Sequence, residues 1–350
     1  MGLPSVQKAV VVTAPQEAKV VADRPLPALR ENHILVKVVC VALNPADWKH
    51  IDFFPAPGAL LGYDYSGIVE ETGPGVTRFA KGDRICGLVH GGNAVQFEDG
   101  AFAEYIMAKE HVSIHIPENL SFQEAATIGV GITTVGLALH QSLKLKLPDD
   151  PIAPPVPILI YGGSSATGSL AIQVAKLSGY QVLTTCSPHN FDFVKRLGAD
   201  VVCDYKDPGA ASHIRSLTGD QLQIVFDTIS IESSAQFCAE AISTEGGSYT
   251  SLLPVSAPRS DVQSSVVLGY TAFGAPFEFA SQSFAAVPED KAFAAWWLPL
   301  VAEMLASGKL KAHPLALREG GLDGVMDGLE HLRQDRVSGQ KLVYNVSETS

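Results

Sequence analysis

The 350-residue chain lacks several features that would place it in a special class of protein. Its five cysteines are odd in number and widely spaced, and none forms a Cys-x-x-Cys pair. Neither a disulfide framework nor a zinc-finger pattern is therefore indicated, and buried, reduced thiols are expected. No uninterrupted apolar run is long enough to cross a bilayer, and the N-terminus has no basic and apolar secretory signal.

The chain also has fewer positive than negative side chains. It contains 25 Lys and Arg and 37 Asp and Glu, for a formal net charge of −12. Such a balance gives no overall attraction to nucleic acid or to anionic membranes. We therefore expect a soluble, cytoplasmic protein that binds neither. Hydrophobic residues make up 46% of the chain, and with this length they predict two domains with substantial cores.

The first third of the sequence is typical of short strands separated by Gly and Pro turns. Runs rich in Val and Ile occupy residues 9–13, 34–41, 67–71 and 85–89, and a further strand is predicted at 100–108. This spacing predicts a barrel-like β domain. Near Ser121 the pattern changes, because Ser121 with Glu124 forms the signature of a helix N-terminus. A second helix is predicted at about 133–143, and the five prolines of residues 147–157 predict an exposed loop.

Strands and helices then alternate. Strands are predicted at 158–161, 181–185, 201–204, 224–227 and 247–252, and helices at 167–177, 191–197 and 235–242. Alternating βα units predict a parallel sheet with helices on both faces, the doubly wound α/β arrangement. The tail adds predicted helices at 292–307 and 322–334 and a last strand at 341–346.

The most informative segment is the run ILIYGGSSATG at residues 158–168. A strand there enters a glycine and serine turn that opens a helix. Small residues let the backbone approach a pyrophosphate, and the helix N-terminus offers N–H groups and partial positive charge. The usual G-x-G-x-x-G pattern has serine at its middle position here. A plain strand-to-helix turn is the alternative, but the surrounding βα units favour a dinucleotide site formed by Gly163, Ser164, Ser165, Ala166 and Thr167.

The end of the next strand bears on the choice of dinucleotide. An NAD-selective site places Asp or Glu there to bind the ribose 2′-hydroxyl, whereas this strand ends TTCSPHN at residues 184–190 and the next acid is Asp192. Hydroxyls, amides and a nearby Lys195 can donate to a 2′-phosphate that a carboxylate would repel. NADPH is therefore expected, with an ordinary turn capping the next helix at Asn190 as the alternative. The residues concerned are Ser187, Pro188, His189 and Asn190.

These motifs carry a family resemblance that spans nearly the whole chain. The sequences VALNPAD (41–47), LGYDYSG (61–67), KGDR (81–84), LGAD (197–200) and GQKLV (339–343) resemble the medium-chain dehydrogenases and reductases. More narrowly, YGGSSAT (161–167), CSPHNFD (186–192) and HPL (313–315) are similar to the trans-acting enoyl reductases of fungal polyketide synthases. The resemblance implies a GroES-like, β-rich catalytic domain at 1–124 and 275–350, with a Rossmann NADPH-binding domain inserted at 125–274.

The chain departs from the zinc-dependent members of this family. It has Asn44 or Pro45 where they carry a cysteine ligand, and Tyr63-Asp64 where they carry His-Glu. Residues 88–102 also lack the cysteines of their structural zinc. Because four-coordinate zinc needs Cys or His in number and register, no metal is expected. The scattered histidines His50, His90 and His111 are interpreted as surface or structural.

The resemblance implies hydride transfer from nicotinamide to the β-carbon of an enoyl thioester or enone, followed by protonation of the α-carbon. Lys49 stands where similar enzymes have a lysine near the cofactor, with an ordinary exposed lysine as the alternative. Thr134 matches a threonine beside the nicotinamide, with a helix-start hydroxyl as the alternative. The Tyr63 phenol can donate to an enolate. No general acid is evident, so water is the default source of the α-proton.

Other contacts are implied by family position alone. The cofactor contacts are Ala46, Asp47, Trp48, Lys49, Tyr205, Leu252, Leu253, Leu342 and Val343. The substrate is expected between the domains, lined by Val135, Gly136, Leu137, Ala138, Leu139, His140, Gln141, Thr271, Ala272, Phe273, Gly274 and Ala275. Small and apolar residues there suit an acyl chain, and they suit an ordinary hydrophobic core equally well.

Three functions remain open on this basis. The favoured one is a trans-acting enoyl reductase whose partner is a polyketide synthase with a carrier-bound acyl chain. A free-standing quinone or enone reductase would use the same chemistry on a small diffusible substrate. A non-catalytic NADPH-binding sensor is the third. The resemblance to polyketide-synthase partners favours a monomer.

Overall fold

A computed structural model describes residues 2–279 and 282–350. Its strands are β1 (Val6–Ala14), β2 (Glu17–Pro25), β3 (His33–Ala42), β4 (Asp64–Thr72), β5 (Arg84–Leu88), β6 (Tyr105–Lys109), β7 (Ser113–His115), β8 (Pro157–Tyr161), β9 (Gln181–Cys186), β10 (Val201–Asp204), β11 (Ile224–Asp227), β12 (Gly247–Ser251), β13 (Val262–Val266), β14 (Phe277–Phe279), β15 (Gln282–Phe284), β16 (Leu315–Arg318) and β17 (Lys341–Asn345). Its α-helices are α1 (Pro45–Phe53), α2 (Phe122–Ala125), α3 (Gly129–Gly136), α4 (Ala166–Leu177), α5 (Phe191–Arg196), α6 (Ala210–Leu217), α7 (Glu232–Ala241), α8 (Pro288–Ala306) and α9 (Gly321–Arg333).

The chain divides into two compact units. The first consists of Met1–Val130 and Tyr270–Ser350, and the second of Gly131–Gly269. The boundaries expected from sequence, 124 and 275, lie a few residues from these divisions. The Asp64 carboxylate accepts the Val130 N–H at 2.7 Å, and Lys109 donates to the Phe273 carbonyl at 3.1 Å. These bonds attach 125–130 and 270–274 to the first unit, and neither bond is visible in the local pattern.

The first unit is built around a seven-stranded sheet. The strands run in the order β16-β17-β3-β4-β5-β7, and β6 pairs with β3 off this path. β3 is buried over most of its length, which suits its run of Val and Ile residues. Strands β1 and β2 form a separate antiparallel hairpin, and β1 contributes to the same hydrophobic core as β3, β6 and α9. The predicted β-rich domain is confirmed.

The second unit contains a six-stranded sheet in which every pairing is parallel. The strand order is β10-β9-β8-β11-β12-β13. Counted within the unit this is 3-2-1-4-5-6, the order of the dinucleotide-binding fold. The predicted doubly wound sheet is confirmed. The order reverses between β8 and β11, and ligands of such sheets bind beyond the carboxyl ends of strands at that point.

Several elements were not predicted. β2 is rich in charged residues, and α1 was interpreted only as a motif, although Asn44-Pro45 followed by Asp47 is a helix-start signal. Helix α6 and edge strand β13 were also missed. The predicted strand at 100–108 begins too early, because regular pairing starts only at Tyr105. The predicted helix at 133–143 is α3 followed by a π-helical stretch, Leu137–Ser142.

One helical stretch, Phe122–Ser142, is long and apolar enough to cross a membrane when judged by length and composition. It lies where the sequence showed no uninterrupted apolar run of that length. Within its apolar window, 78% of the residues are buried inside the structure. A core helix of a soluble protein passes the same test, so this feature is weak evidence for a membrane segment.

Candidate active site

The turn after β8 is shaped by glycines that leave no space for a side chain. Gly162 has φ = +82°, a left-handed conformation that favours glycine. A Cβ on Gly163 would lie 2.1 Å from Thr184 Oγ1, and one on Gly168 would lie 2.3 Å from the Gly162 carbonyl oxygen. The backbone is thus held close to β9 and to the start of α4, as a loop that receives a pyrophosphate must be.

Ser165, the residue that replaces the middle glycine of the usual pattern, is the N-cap of α4. Its hydroxyl accepts the Gly168 N–H at 2.9 Å and lies 2.9 Å from Thr228 Oγ1, at the end of β11. Thr228 in turn donates to the Tyr161 carbonyl at 2.8 Å. Serine therefore ties the loop across the point where the strand order reverses. The first N–H groups of α4 have no intrahelical acceptors, so they suit an anionic ligand.

The turn after β9 contains the residues expected to choose between NADPH and NADH. Ser187 is half-buried, His189 is exposed and Asn190 is buried. The alternative in which the Asn190 side chain caps α5 is not observed. The structure also places a carboxylate here that the sequence analysis did not, that of Asp204, which is the partner of Cys186 across the parallel strands. Burial is the main cause of the raised pKa of the Cys186 thiol, and the Asp204 charge raises it further. Its Oδ1 accepts the Lys206 N–H at 2.9 Å.

The remaining predicted cofactor contacts differ in exposure. Tyr205 is 39% exposed and makes an edge contact with Tyr161 at a centroid distance of 6.4 Å. Leu252 and Leu253 are half-buried, and the Leu252 N–H donates to Ser230 Oγ at 2.7 Å. In the first unit, Ala46 and Trp48 are half-buried, whereas the Leu342 and Val343 side chains are buried among hydrophobic residues. The Leu342 carbonyl accepts the Leu43 N–H at 3.0 Å, and Val343 pairs with Ala42 and Leu317 in the sheet.

Lys49 lies on α1 and is half-buried. Burial lowers the pKa of its ammonium group and nearby Asp335 opposes that shift. The Nζ atom lies 5.7 Å from the centroid of the Trp48 ring, which also has Arg333 at 5.7 Å. Lys49 is thus held against an aromatic face and is not the freely exposed lysine that was the alternative interpretation. In the second unit, Thr134 is 7% exposed and lies in α3, away from the start of that helix.

A buried ionic cluster includes Asn44 and Asp64, at positions where the family resemblance implied metal ligands in zinc-dependent members. The Lys341 ammonium donates to Asn44 Oδ1 at 2.9 Å and to the Asp64 carboxylate, which also accepts from Asn44 Nδ2 at 2.9 Å. Asp64 is fully buried and Lys341 is 4% exposed. Asp47, predicted as a cofactor contact, is also fully buried and accepts the Asn44 N–H at 2.6 Å. Burial raises the pKa of Asp47 well above its usual range.

This donor set does not fit zinc. It contains one amide and one carboxylate that already bind an ammonium group, whereas protein zinc sites use Cys, His and further carboxylates. Across residues 2–279 and 282–350, no group of three or more His, Cys, Asp or Glu residues is arranged to hold a metal ion. The five cysteines are buried and free. The buried positive charge at this position is that of Lys341.

Tyr63 lies beside this cluster and is 4% exposed. Its hydroxyl is 3.2 Å from the Tyr270 hydroxyl, and Tyr270 Oη is 2.9 Å from His50 Nε2. Burial raises the pKa of Tyr63 well above its usual range and lowers the pKa of His50 to about 4. At neutral pH the three groups are therefore uncharged. Neither Tyr270 nor His50 was predicted as a site residue, because they come from separate parts of the chain.

The two segments predicted to line the substrate site prove to be largely buried. Residues 135–140 are all buried, and Gln141 is half-buried. In the second segment Ala272 and Phe273 are buried, and the Phe273 ring stacks on His90 at a centroid distance of 5.6 Å. Thr271, Gly274 and Ala275 are half-buried. Both interpretations that the sequence left open for these residues, an acyl-chain site and a hydrophobic core, stay predictions.

Taken together, the 3-2-1-4-5-6 sheet of the second unit, the glycine-lined bend at its switch point and the β-rich first unit define a nicotinamide-dependent oxidoreductase of two units. Known proteins agree. Residues 30–118 match the alcohol dehydrogenase GroES-like domain, and residues 166–251 match the zinc-binding dehydrogenase domain.

Two curated relatives match most of the length of this chain. A trans-enoyl reductase of Cochliobolus carbonum is 59% identical over 272 residues, which cover 77% of this chain and 92% of the relative. One from Aspergillus sclerotiorum is 48% identical over 357 residues, covering 97% and 100%. A solved structure described as a putative zinc-dependent alcohol dehydrogenase from Rhizobium etli has a TM-score of 0.79 at 26% identity and covers 97% of this chain and 98% of its own. The chain belongs to the medium-chain dehydrogenase/reductase family, in the group of the trans-enoyl reductases.

Proposed function

We propose that this protein is a trans-acting enoyl reductase that reduces the activated C=C bond of an enoyl thioester carried by a polyketide synthase. The observation that carries the proposal is the 48% identity to a trans-enoyl reductase over 97% of this chain. The chemistry of the site supports it. A C=C bond conjugated to a thioester carbonyl already has an electron-poor β-carbon, so its reduction does not need the Lewis acid that this donor set cannot hold.

The chain's own residues would bind and orient the reactants. A nicotinamide cofactor supplies a hydride when it is bound. The Gly162–Gly163 bend and the N-terminus of α4 fit its pyrophosphate, because added Cβ atoms would occupy the space into which the backbone folds. Lys49, held against Trp48, would provide a cation toward a phosphate, a ribose or enolate charge. Thr134 is proposed to position the nicotinamide.

We infer that NADPH is preferred to NADH. The support is the half-buried Ser187 and the absence of an acid at the end of β9, whereas Asp204 on the neighbouring strand directs one oxygen to a backbone N–H. Ser187→Asp would place a carboxylate beside a 2′-phosphate, and the repulsion should weaken NADPH binding by about tenfold or more while leaving NADH unaffected. Calorimetric titration of both dinucleotides measures this. Equal losses for the two would contradict the inference.

The partner proposed is a polyketide synthase that presents an acyl chain on its carrier domain, with this protein acting as a cytoplasmic monomer. An enzyme that acts in trans must accept a substrate attached to another protein. The support is the same relationship to the trans-enoyl reductases. Sedimentation of the purified chain alone tests the monomeric state.

The function is tested by mixing the purified protein with NADPH and following the loss of its absorbance. Substrates should include enoyl-pantetheine thioesters, the same acyl groups on a carrier domain, and simple quinones. Turnover of the thioesters, faster on the carrier, is expected. Preference for quinones would indicate a free-standing quinone reductase. Binding of NADPH without turnover across this panel would indicate a sensor.

A further inference from the structure

Three polar side chains in the first unit form a hydrogen-bonded row. His50 comes from α1, Tyr63 from the segment just before β4, and Tyr270 from the 3-10 turn that precedes β14. The row runs from His50 Nε2 to Tyr270 Oη over 2.9 Å and on to Tyr63 Oη over 3.2 Å. Because the members are separated by up to 220 positions in the chain, only the folded unit brings them together.

Aromatic rings surround this row. The His90 ring lies 4.5 Å from that of Tyr270, and the Phe279 ring lies 5.7 Å from Tyr270 and 4.8 Å from Phe54. An apolar wall of this kind keeps the local dielectric constant low, which strengthens each hydrogen bond in the row and makes an unpaired polar group costly. Tyr270 is less buried than His50 or Tyr63, so the middle of the row is the part nearest to solvent.

We propose that Tyr63 donates the proton to the substrate α-carbon, and that Tyr270 and His50 are positioning residues that orient and reload its hydroxyl. This inference rests on the proposed reduction of an enoyl thioester. That reaction leaves an enolate that needs one proton at carbon, and the sequence alone gave water as the default source, with the Tyr63 phenol named only as a donor to the enolate. Proton transfer from a positioned side chain contributes typically about 10²–10⁴-fold in rate.

The step balances as follows. The Tyr63 O–H bond breaks, the enolate π pair forms the new C–H bond, and the negative charge passes to the Tyr63 oxygen. The Tyr270 hydroxyl, 3.2 Å away, stabilises that charge by donating to it and then transfers its own proton. A proton from solvent restores Tyr270. The net consumption is one proton from water, and no oxidant or reductant beyond the nicotinamide is required.

We take the tautomer of His50 that carries its hydrogen on Nε2, and this choice sets the direction of the row. The pKa of His50, lowered by burial to about 4, makes it a neutral imidazole with a single N–H at pH 7. When that hydrogen is on Nε2, the ring donates to the Tyr270 oxygen, so the Tyr270 O–H must point toward Tyr63 and the Tyr63 O–H is released for the substrate. Burial also raises the pKa of Tyr63, which keeps it protonated until a strongly basic carbon is presented.

The experiment compares Tyr63→Phe, Tyr270→Phe and His50→Gln in the full-length protein with NADPH and an enoyl-pantetheine thioester. Tyr63→Phe should lower kcat by about 10²-fold with KM changed only a few-fold. Tyr270→Phe and His50→Gln should lower kcat by about tenfold. The Tyr63→Phe/Tyr270→Phe double variant should be no slower than Tyr63→Phe alone, because Tyr270 acts through Tyr63. The wild-type solvent deuterium isotope effect on kcat should change in Tyr63→Phe.

Tyr65→Phe is the matched control. Tyr65 is fully buried two residues along the chain, and its hydroxyl binds Ser113 Oγ at 2.8 Å, outside the row. It should lose stability without losing kcat. Retention of kcat within threefold in Tyr63→Phe, or independent and additive losses in the double variant, would overturn the proposal in favour of water. If the wild-type protein reduces no enoyl thioester at all, the proposed function fails first, so the two failures are distinguishable.

Discussion

At the scale of single residues, the feature that departs most from an average protein is the buried Lys341 ammonium. It is 4% exposed, and its partner Asp64 is fully buried. Removing two charges from water is costly, and the ion pair offsets that cost only while both partners and their further hydrogen bonds remain. Asn44 and the Val130 N–H supply those further bonds. Removing only Lys341 or only Asp64 should therefore lower the free energy of unfolding more than removing both charges together.

Lys341→Met should lower the free energy of unfolding of the first unit by about 3–5 kcal/mol, because the Asp64 carboxylate would be left buried and unpaired. The double variant Lys341→Met/Asp64→Asn should recover much of that loss. Denaturant unfolding followed by a signal from the first unit measures both. Lys176→Met is the control, since it breaks a half-exposed pair with Asp200 and should cost less than about 1 kcal/mol. Equal effects of the buried and half-exposed pairs would refute this account.

A second residue-scale prediction concerns pH and His90. Burial lowers the pKa of His90 to about 3. His90 therefore takes up a proton near pH 6.5 in the unfolded chain but stays neutral at that pH in the folded protein. The stability consequently falls as the pH drops from about 6.5 toward 3. In His90→Phe the loss between pH 6.5 and 5 should be smaller than in wild type by about 2 kcal/mol. An unchanged pH slope would count against a buried, neutral His90.

The sign of this effect is shared by several other histidines of the first unit. The pKa values of His50 and His111 are lowered to about 4, and that of His313 to about 3, in each case mainly by burial. Asp47 acts in the opposite sense, because its raised pKa makes the folded state hold a proton that the unfolded chain releases. These terms are common to wild type and His90→Phe and therefore cancel in the comparison.

At the scale of elements, the turn between β8 and α4 determines how the first N–H groups of α4 are presented to the cofactor that we propose binds there. The strand ends at Tyr161, the chain reverses at Gly162, and Ser165 caps the helix. Each step constrains the next, because the capped helix presents its first N–H groups only if the bend is tight. Replacing glycine by serine at the middle of the usual pattern does not open the loop. The Ser165 hydroxyl forms a hydrogen bond with the Thr228 hydroxyl, and this contact holds the loop close to the end of β11.

Gly163→Ala should reduce NADPH affinity by at least tenfold, because the new Cβ would lie 2.1 Å from Thr184 Oγ1 and 2.8 Å from Ile172 Cδ1 and would push the bend outward. Isothermal titration calorimetry measures the affinity. Gly209→Ala provides the control in the same unit, since its Cβ would make an ordinary 3.4 Å contact with Asp207. If both variants bound NADPH as well as wild type does, the bend would not be the pyrophosphate site.

At the scale of the whole molecule, the chain consists of two units, one of which is assembled from both ends of the sequence. The Gly162–Gly163 bend, proposed to bind the cofactor, belongs wholly to Gly131–Gly269, and the row of His50, Tyr63 and Tyr270 belongs wholly to the other unit. A ligand that binds only the native form of a unit stabilises it by mass action. The effect of a ligand on the stability of each unit can therefore be measured separately in the intact protein.

NADPH at about one hundred times its dissociation constant should stabilise residues 131–269 by about 2.7 kcal/mol. Hydrogen exchange read peptide by peptide should show added protection in β8, α4 and β9, the elements around the bend. The same measurement on Gly163→Ala should show little protection at that concentration. Protection confined to the first unit in wild type would place the dinucleotide elsewhere.

The sequence by itself determined the two-domain organisation and the doubly wound sheet, because the alternation of Val- and Ile-rich strands with helical stretches is a local pattern that tertiary contacts did not override. It also identified the glycine and serine bend, since strand, turn and helix are contiguous there. Only the tertiary structure decided the rest. Lys341 and Asn44 are 297 positions apart, and Tyr270 meets His50 and Tyr63 across similar separations, so no local pattern could report those contacts. The same reason explains why the burial of residues 135–140 could not be read from their largely apolar composition, since burial depends on neighbours from other parts of the chain.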